Sequence, residues 1–191
     1  MSRNELYPVF LKVSELNILI VGGGYVACEK LSFLLKSSPN AKVKVVATYF
    51  SDEIKALAVK HKTPLVFGEY GRNLMYKQQI VIAATNDVKL NEQIYFDAKS
   101  FNILINVADT PDLCDFYLGG IVTKGNVKIA ISTNGKSPTM AKRLRQFFEK
   151  VLPENLDDVV VNLNVVRDRI SGDFSRKVSN LNRITKSLIE N

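Results

Sequence analysis

Three glycines in a row, Gly22-Gly23-Gly24, followed by Tyr25-Val26-Ala27, are the residues of this chain best suited to handling a charged ligand. Gly22, Gly24 and Ala27 fit the G-x-G-x-x-A spacing of a dinucleotide-binding turn. The first glycine permits a tight turn, the second lets a pyrophosphate approach the backbone, and the small alanine keeps the next helix close to its strand. A helix opening near Tyr25 presents free N–H groups and a partial positive charge to phosphates, so Tyr25 and Val26 join the candidate binding set. The same glycines could form a plain structural turn. The apolar run Ile18 to Val21 before them and the helical spacing of Val26, Leu31, Leu34 and Leu35 after them favour the nucleotide.

The remaining candidates follow from where strands end, because a doubly wound parallel sheet holds ligands beyond the carboxyl ends of its strands. Those positions are Thr48-Tyr49, Ala84-Thr85-Asn86 and Ala108-Asp109. The second strand ends in Ala47-Thr48-Tyr49, with no acid for ribose hydroxyls and no arginine for a 2′-phosphate. NAD against NADP stays open there, leaning to NAD. Asp109 is the only ionisable side chain directly after the fifth strand, and it can act as a general base if the site raises its pKa. Asp-Thr-Pro-Asp is also ordinary turn chemistry, and Asp112 and Asp115 are rivals. One histidine, His61, and two distant cysteines, Cys28 and Cys114, give no zinc-ligand spacing, so no metal-ligating residue is expected. No nucleophile elbow, P-loop or zincin motif occurs.

The elements that must hold these residues alternate. Runs over 7–13, 18–21, 43–47, 65–68, 80–84 and 104–107 read as strands, the first as an edge strand with Pro8 at its start. Helices fall between: one from near Tyr25, one from Asp52 to about Lys60 capped by Ser51, and one opening at Thr85-Asn86-Asp87 and running to about Ser100. Alternation of this kind predicts right-handed crossovers and a Rossmann-like, doubly wound parallel α/β sheet. The pattern then changes. Runs over 116–123 and 127–133, joined by Lys124-Gly125-Asn126, predict a β-hairpin. Ser137 and Pro138 open a helix with Met140, Leu144, Phe147, Phe148 and Val151 facing inward. From Leu156 the chain is helical and broken near Gly172, with one stripe at Val159, Leu163, Val166 and Ile170 and another at Leu181, Ile184 and Leu188. The expected division is 1–112 for the dinucleotide, 113–150 for a hairpin and helix that dimerise and meet substrate, and 151–191 for a helical region. An isolated hairpin is marginal in water, so a second copy of the chain is the expected cover.

Composition fits this reading. With 191 residues, 46% of them hydrophobic, the chain can bury a real core. No apolar run is long enough to span a membrane, and no signal-peptide h-region opens the chain, so the cytoplasm is the expected compartment. The net charge of +7, concentrated in the last third, suits a polyanionic small molecule or a solvated helical surface. No nucleic-acid motif accompanies it.

Read together, Pro8-Val9-Phe10-Leu11, Val21-Gly22-Gly23-Gly24-Tyr25-Val26-Ala27, Ala83-Ala84-Thr85-Asn86-Asp87 and Asn106-Val107-Ala108-Asp109 resemble the precorrin-2 dehydrogenase family of sirohaem biosynthesis. Leu113-Cys114-Asp115-Phe116 and the loop Ile129-Ala130-Ile131-Ser132-Thr133-Asn134-Gly135-Lys136-Ser137-Pro138 extend the resemblance to about residue 152. It implies NAD-dependent oxidation of precorrin-2, a tetrapyrrole polycarboxylate, to sirohydrochlorin in an intertwined homodimer, with Asp109 as the functional aspartate. Some members also insert iron, so ferrochelatase activity with Fe2+ as substrate is an alternative. A non-enzymatic NAD-binding redox sensor is another. The chain departs from the family at Glu29, where Arg is common, at Gly119, where Pro is common, and at Asn134, where Gly is common. Fused members carry a methyltransferase domain, and a separate methyltransferase is expected to act upstream here.

Overall fold

The computed structural model describes residues 4–186, and the chain divides into two compact units. The first runs to Gly119 and includes Ser132–Lys136; the second comprises Gly120–Ile131 and the chain from Ser137.

In the first unit the elements run β1 (Ile18–Val21), α1 (Tyr25–Ser37), β2 (Val43–Ala47), α2 (Asp52–His61), β3 (Leu65–Phe67), β4 (Ile80–Ala83), α3 (Val88–Ser100) and β5 (Leu104–Val107), with a short 3-10 turn, Arg72–Met75, in place of a helix between β3 and β4. The strands form one parallel sheet in the order β3-β2-β1-β4-β5. The chain therefore winds outward from β1 in one direction, returns, and winds outward in the other. Val21 pairs with Val46 on one side and Ala83 on the other, so three central strands end level. The point where the winding reverses lies between β1 and β4, where such sheets hold ligands.

The apolar runs of the central strands are explained by burial on both faces. Ile18, Ile20, Ile80 and Ile82 pack with Leu31 and Leu35 of α1 and Ile54 of α2. Leu19, Val21, Val81 and Ala83 pack on the opposite face with Ile94 and Ala98 of α3. Helix starts follow their caps. Ser51 Oγ accepts the Ile54 N–H at 3.4 Å, and an Asp87 carboxylate oxygen accepts the Leu90 N–H at 3.1 Å. The β3–β4 connection is tied to α3 through Tyr70, whose hydroxyl donates to Asp97 Oδ2 at 2.9 Å.

The edge strand expected over 7–13 does not form. Tyr7, Val9 and Phe10 stay exposed, and Val13 meets the sheet's flank by accepting the Lys42 N–H at 3.0 Å. Pro8 offers no N–H to a ladder. The outer edge of β5 is already taken by Asp115, whose N–H donates to Ile105 O at 2.8 Å and whose Oδ2 accepts the Ile105 N–H at 3.1 Å.

The second unit is built on an antiparallel hairpin, β6 (Gly120–Lys124) and β7 (Val127–Ile131), turned by Gly125-Asn126 with Gly125 at φ +54°. Its first strand starts later than the expected residue 116, because Phe116 O is held by the Asn106 side chain at 2.9 Å in the first unit. Helices α4 (Pro138–Val151), α5 (Leu156–Arg169) and α6 (Phe174–Thr185) follow. Ser137 Oγ accepts the Met140 N–H at 3.2 Å, and α4 packs against β6. At the start of α5, Asp157 Oδ1 accepts both the Asn126 N–H at 2.6 Å and its Nδ2 at 2.8 Å, which latches the hairpin turn. Lys124 and Glu154 pair beside it.

The inward face expected for α4 is only partly covered: Leu144 and Phe148 are half-buried, but Met140, Phe147 and Val151 are exposed. The stripe Val159, Leu163, Val166 and Ile170 is half-buried as expected. In the last helix Leu181 is half-buried, Ile184 is exposed, and Leu188 lies outside the described residues. Among the described residues no helix is long and apolar enough to cross a membrane.

Candidate functional site

Each of the three glycines has its own reason to be glycine. A Cβ on Gly22, which sits at φ +134°, would overlap the Ala84 carbonyl and come within 3.4 Å of Ala27 Cβ. One on Gly23 would overlap the Tyr49 carbonyl oxygen and lie 2.9 Å from Ala47 Cβ. One on Gly24 would meet nothing within 4 Å. The turn is thus pressed between β2 and β4 at its first two residues and open at its third. Gly23 was a spacer in the sequence motif, yet its neighbours crowd it most. The third consecutive glycine, redundant for the motif, was the available signal.

Gly24 precedes α1 with no side-chain cap, and the first turn of α1 carries no acid. Tyr25 is exposed and Val26 half-buried, while Ala27 is fully buried against the turn. The first N–H groups of the helix therefore face an uncapped, cation-like end beside open space over Gly24. This cradle fits the pyrophosphate of a dinucleotide.

Two loops flank it. The β2 loop carries exposed Thr48 and Tyr49 and is tied to the turn by the Ser51 N–H donating to Gly23 O at 2.9 Å. The β4 loop carries buried Ala84, half-buried Thr85 and exposed Asn86. Thr85 does not offer its hydroxyl to the crevice. Asn91 in α3, absent from the sequence-derived set, engages it at 2.7 Å. A lone asparagine among helix-spaced apolar residues gave no warning of this.

Asp109 stands beyond β5 with its side chain exposed and its backbone at φ +57°. Val107 pairs with Ala83, so the Asp109 loop and the 84–86 loop open at the same end of the sheet. Among the described residues the Asp109 carboxylate makes no hydrogen bond. Its turn is held from behind by Cys114, whose Sγ accepts the Val107 N–H at 3.3 Å and lies 3.2 Å from Val107 O and 3.3 Å from Thr110 O. Burial pushes the Cys114 thiol up, keeping it a protonated donor. Of the rivals, Asp115 is committed to Lys99 Nζ at 2.6 Å and to the Ile105 N–H, and Asp112 lies exposed in the turn Pro111–Leu113. A surface hollow lined by Lys99, Asn102, Ile103, Leu104 and Asp115 opens at the amino end of β5, away from these loops. Among the described residues no three of His, Cys, Asp and Glu form a cluster that could hold a metal ion.

Residues 9–120 match the family described as "Putative NAD(P)-binding", and residues 124–150 match that described as "Sirohaem biosynthesis protein central". The chain belongs to the first of these, the family described as "Putative NAD(P)-binding". It is 38% identical over 175 residues to a sirohaem synthase of Psychrobacter arcticus, covering 92% of this chain and 31% of that protein. It is 33% identical over 166 residues to a sirohaem synthase of Neisseria meningitidis serogroup C, covering 87% of this chain and 34% of that one. The chain thus spans about a third of the length of these relatives. A solved structure, "SirC, precorrin-2 dehydrogenase", superposes with a TM-score of 0.77 at 25% identity, covering 94% of this chain and 89% of that one. The expected Rossmann-like sheet, hairpin and C-terminal helices therefore describe the fold, and a nicotinamide dinucleotide is the cofactor class.

Proposed function

We propose that this chain oxidises precorrin-2 to sirohydrochlorin with NAD as the oxidant. The observation that carries the reading is its similarity to the precorrin-2 dehydrogenase SirC over nearly its whole length. The open face over Gly24 supports the cofactor's place. On this reading the turn Gly22 to Val26 and the buried Ala27 hold the pyrophosphate. Thr48 and Tyr49 border the adenosine side, and Ala84, Thr85 and Asn86 form the wall toward the nicotinamide.

When bound, NAD supplies the hydride acceptor. The chain's own residues orient it and handle the proton. Oxidation takes one hydride and one proton from the macrocycle, and the exposed Asp109 carboxylate accepts that proton and passes it to water. Asp109 is the residue for this because its rival Asp115 is already paired. NAD is preferred to NADP because Ala47-Thr48-Tyr49 offers no cation to a 2′-phosphate. The net charge of +7 favours a polycarboxylate substrate.

The assembly is a homodimer in which a second copy covers Met140, Phe147 and Val151 of α4 and Val160, Val161 and Val165 of α5, all exposed in the single chain. Residues 1–112 serve the cofactor, 113–150 the dimer and substrate, and 151–191 complete the helical region. The test is anaerobic incubation with precorrin-2, supplying NAD and NADP separately. Reduction of NAD with a lower KM than NADP is expected, and no reduction of either contradicts the proposal.

A further inference from the structure

The β4–α3 loop is governed by a residue that stands outside the crevice. Asn91 lies one turn into α3 and is 8% exposed; Thr63 and Asn106 are the other buried polar residues among those described. Its Oδ1 accepts the Thr85 N–H at 3.3 Å and lies 2.7 Å from Thr85 Oγ1, while its Nδ2 donates to Thr85 O at 3.0 Å. One amide thus engages every polar group of one loop residue. The Thr85 hydroxyl has a single proton to give, and the shorter approach to Asn91 Oδ1 takes it over Asp87 O at 3.1 Å. The hydroxyl oxygen in turn accepts the Asp87 N–H at 3.2 Å, and Asp87 caps α3 through the Leu90 N–H. The loop is fixed at Thr85 and at Asp87. Asn86 is left exposed between them, and the Ala84 carbonyl is left directly beneath Gly22.

Burial of an amide at a helix position is costly unless its hydrogen bonds return the loss, and an apolar residue there would bury as well without that requirement. What an apolar residue could not do is hold the loop's backbone. A loop that is already ordered spares an incoming ligand the cost of ordering it. We propose that Asn91 is a positioning residue for the dinucleotide: reaching back from α3, it locks the Ala84–Asn86 backbone against the Gly22 turn, so the crevice exists before the cofactor arrives. This rests on the nicotinamide-cofactor reading of the same site.

Three variants of the whole chain test it: Asn91→Leu, the milder Thr85→Val, and the two combined. NAD affinity by calorimetry, thermal unfolding, amide exchange at Thr85 and Asp87, and steady-state kinetics are measured on each. Asn91→Leu is expected to weaken NAD binding by about tenfold, the effect of losing buried hydrogen bonds that order the loop. Thr85→Val is expected to weaken it several-fold, and the combined variant by less than the product, because both break one network. In Asn91→Leu, exchange at the Thr85 and Asp87 amides quickens, and KM for NAD rises while kcat at saturating NAD holds within about twofold. A folded Asn91→Leu protein that melts earlier but binds NAD as wild type does overturns the proposal, since Asn91 would then serve stability alone. If Asn91→Leu does not fold, the smaller Asn91→Ser, which also loses the Nδ2 bond to Thr85 O, takes its place, and unchanged NAD affinity there overturns it equally. Wild-type protein that binds neither NAD nor NADP removes the cofactor reading itself and the proposal with it, a result visible before any variant is made.

Discussion

Asp109 joins an exposed carboxylate to a left-handed backbone at φ +57°, and a useful substitution must separate the two. Alanine would remove the charge and strain the turn together, whereas asparagine tolerates this conformation at least as well as aspartate. Asp109→Asn is therefore expected to keep NAD binding and lower dehydrogenation by about 10²–10⁴-fold, the range for loss of a general base. Dehydrogenation that persists while iron insertion fails would assign the carboxylate to chelation, and survival of both would make it a turn residue. The glycines divide in the same way. Gly24→Val enters open space, so the protein should fold and lose NAD affinity by about tenfold or more, measured by calorimetry. Gly23→Ala runs into the Tyr49 backbone, which no side-chain rotation relieves, and should cost about 3 kcal/mol in denaturant unfolding. The motif's spacing named Gly22, Gly24 and Ala27 because those positions answer to the ligand. It could not name Gly23 or Asn91, which answer to neighbours brought close only by the fold.

At the scale of elements, α3 is held to the rest of its unit by two groups whose titration is displaced. Burial and the bond to Asp97 push the Tyr70 phenol up, and the hydrogen bond to Asp115 pushes the Lys99 ammonium up. Both retain their protons in the fold to a higher pH than in the unfolded chain. Their contribution is complete below about pH 10 and declines above it, as the unfolded chain begins to release protons that the fold still holds. Melting temperature should fall along an alkaline limb, and Tyr70→Phe should flatten it; an unchanged limb would remove Tyr70 as a cause. Element boundaries were legible wherever local chemistry carried a backbone-specific role: Ser51 as a cap, Thr85-Asn86-Asp87 opening α3, Pro138 opening α4, Gly172 at φ +119° between α5 and α6. They were not legible where pairing decides. The alternation over 7–13 resembles a strand but finds no ladder, and β6 starts late because Asn106 holds Phe116. Similarly, the stripe on α4 says that a face requires cover without saying what covers it.

For the molecule as a whole, exposed Met140, Phe147 and Val151 make self-association a direct expectation, and sedimentation at micromolar concentration should return a dimer. A stable monomer would mean that another surface or another partner meets that face. The sheet order, the switch point between β1 and β4 and the crowded glycine turn agree on a nicotinamide cofactor, and the hairpin-to-α4 region agrees with sirohaem relatives. These features are expected to be joined in one oxidation. Purified protein, precorrin-2 and NAD are mixed without oxygen, and reduced NAD and sirohydrochlorin are followed together by absorbance. One NAD should be reduced for each sirohydrochlorin formed, and Asp109→Asn should slow both signals in step. Sirohydrochlorin appearing without NAD reduction, or NAD bound tightly with no oxidation of precorrin-2, would contradict it.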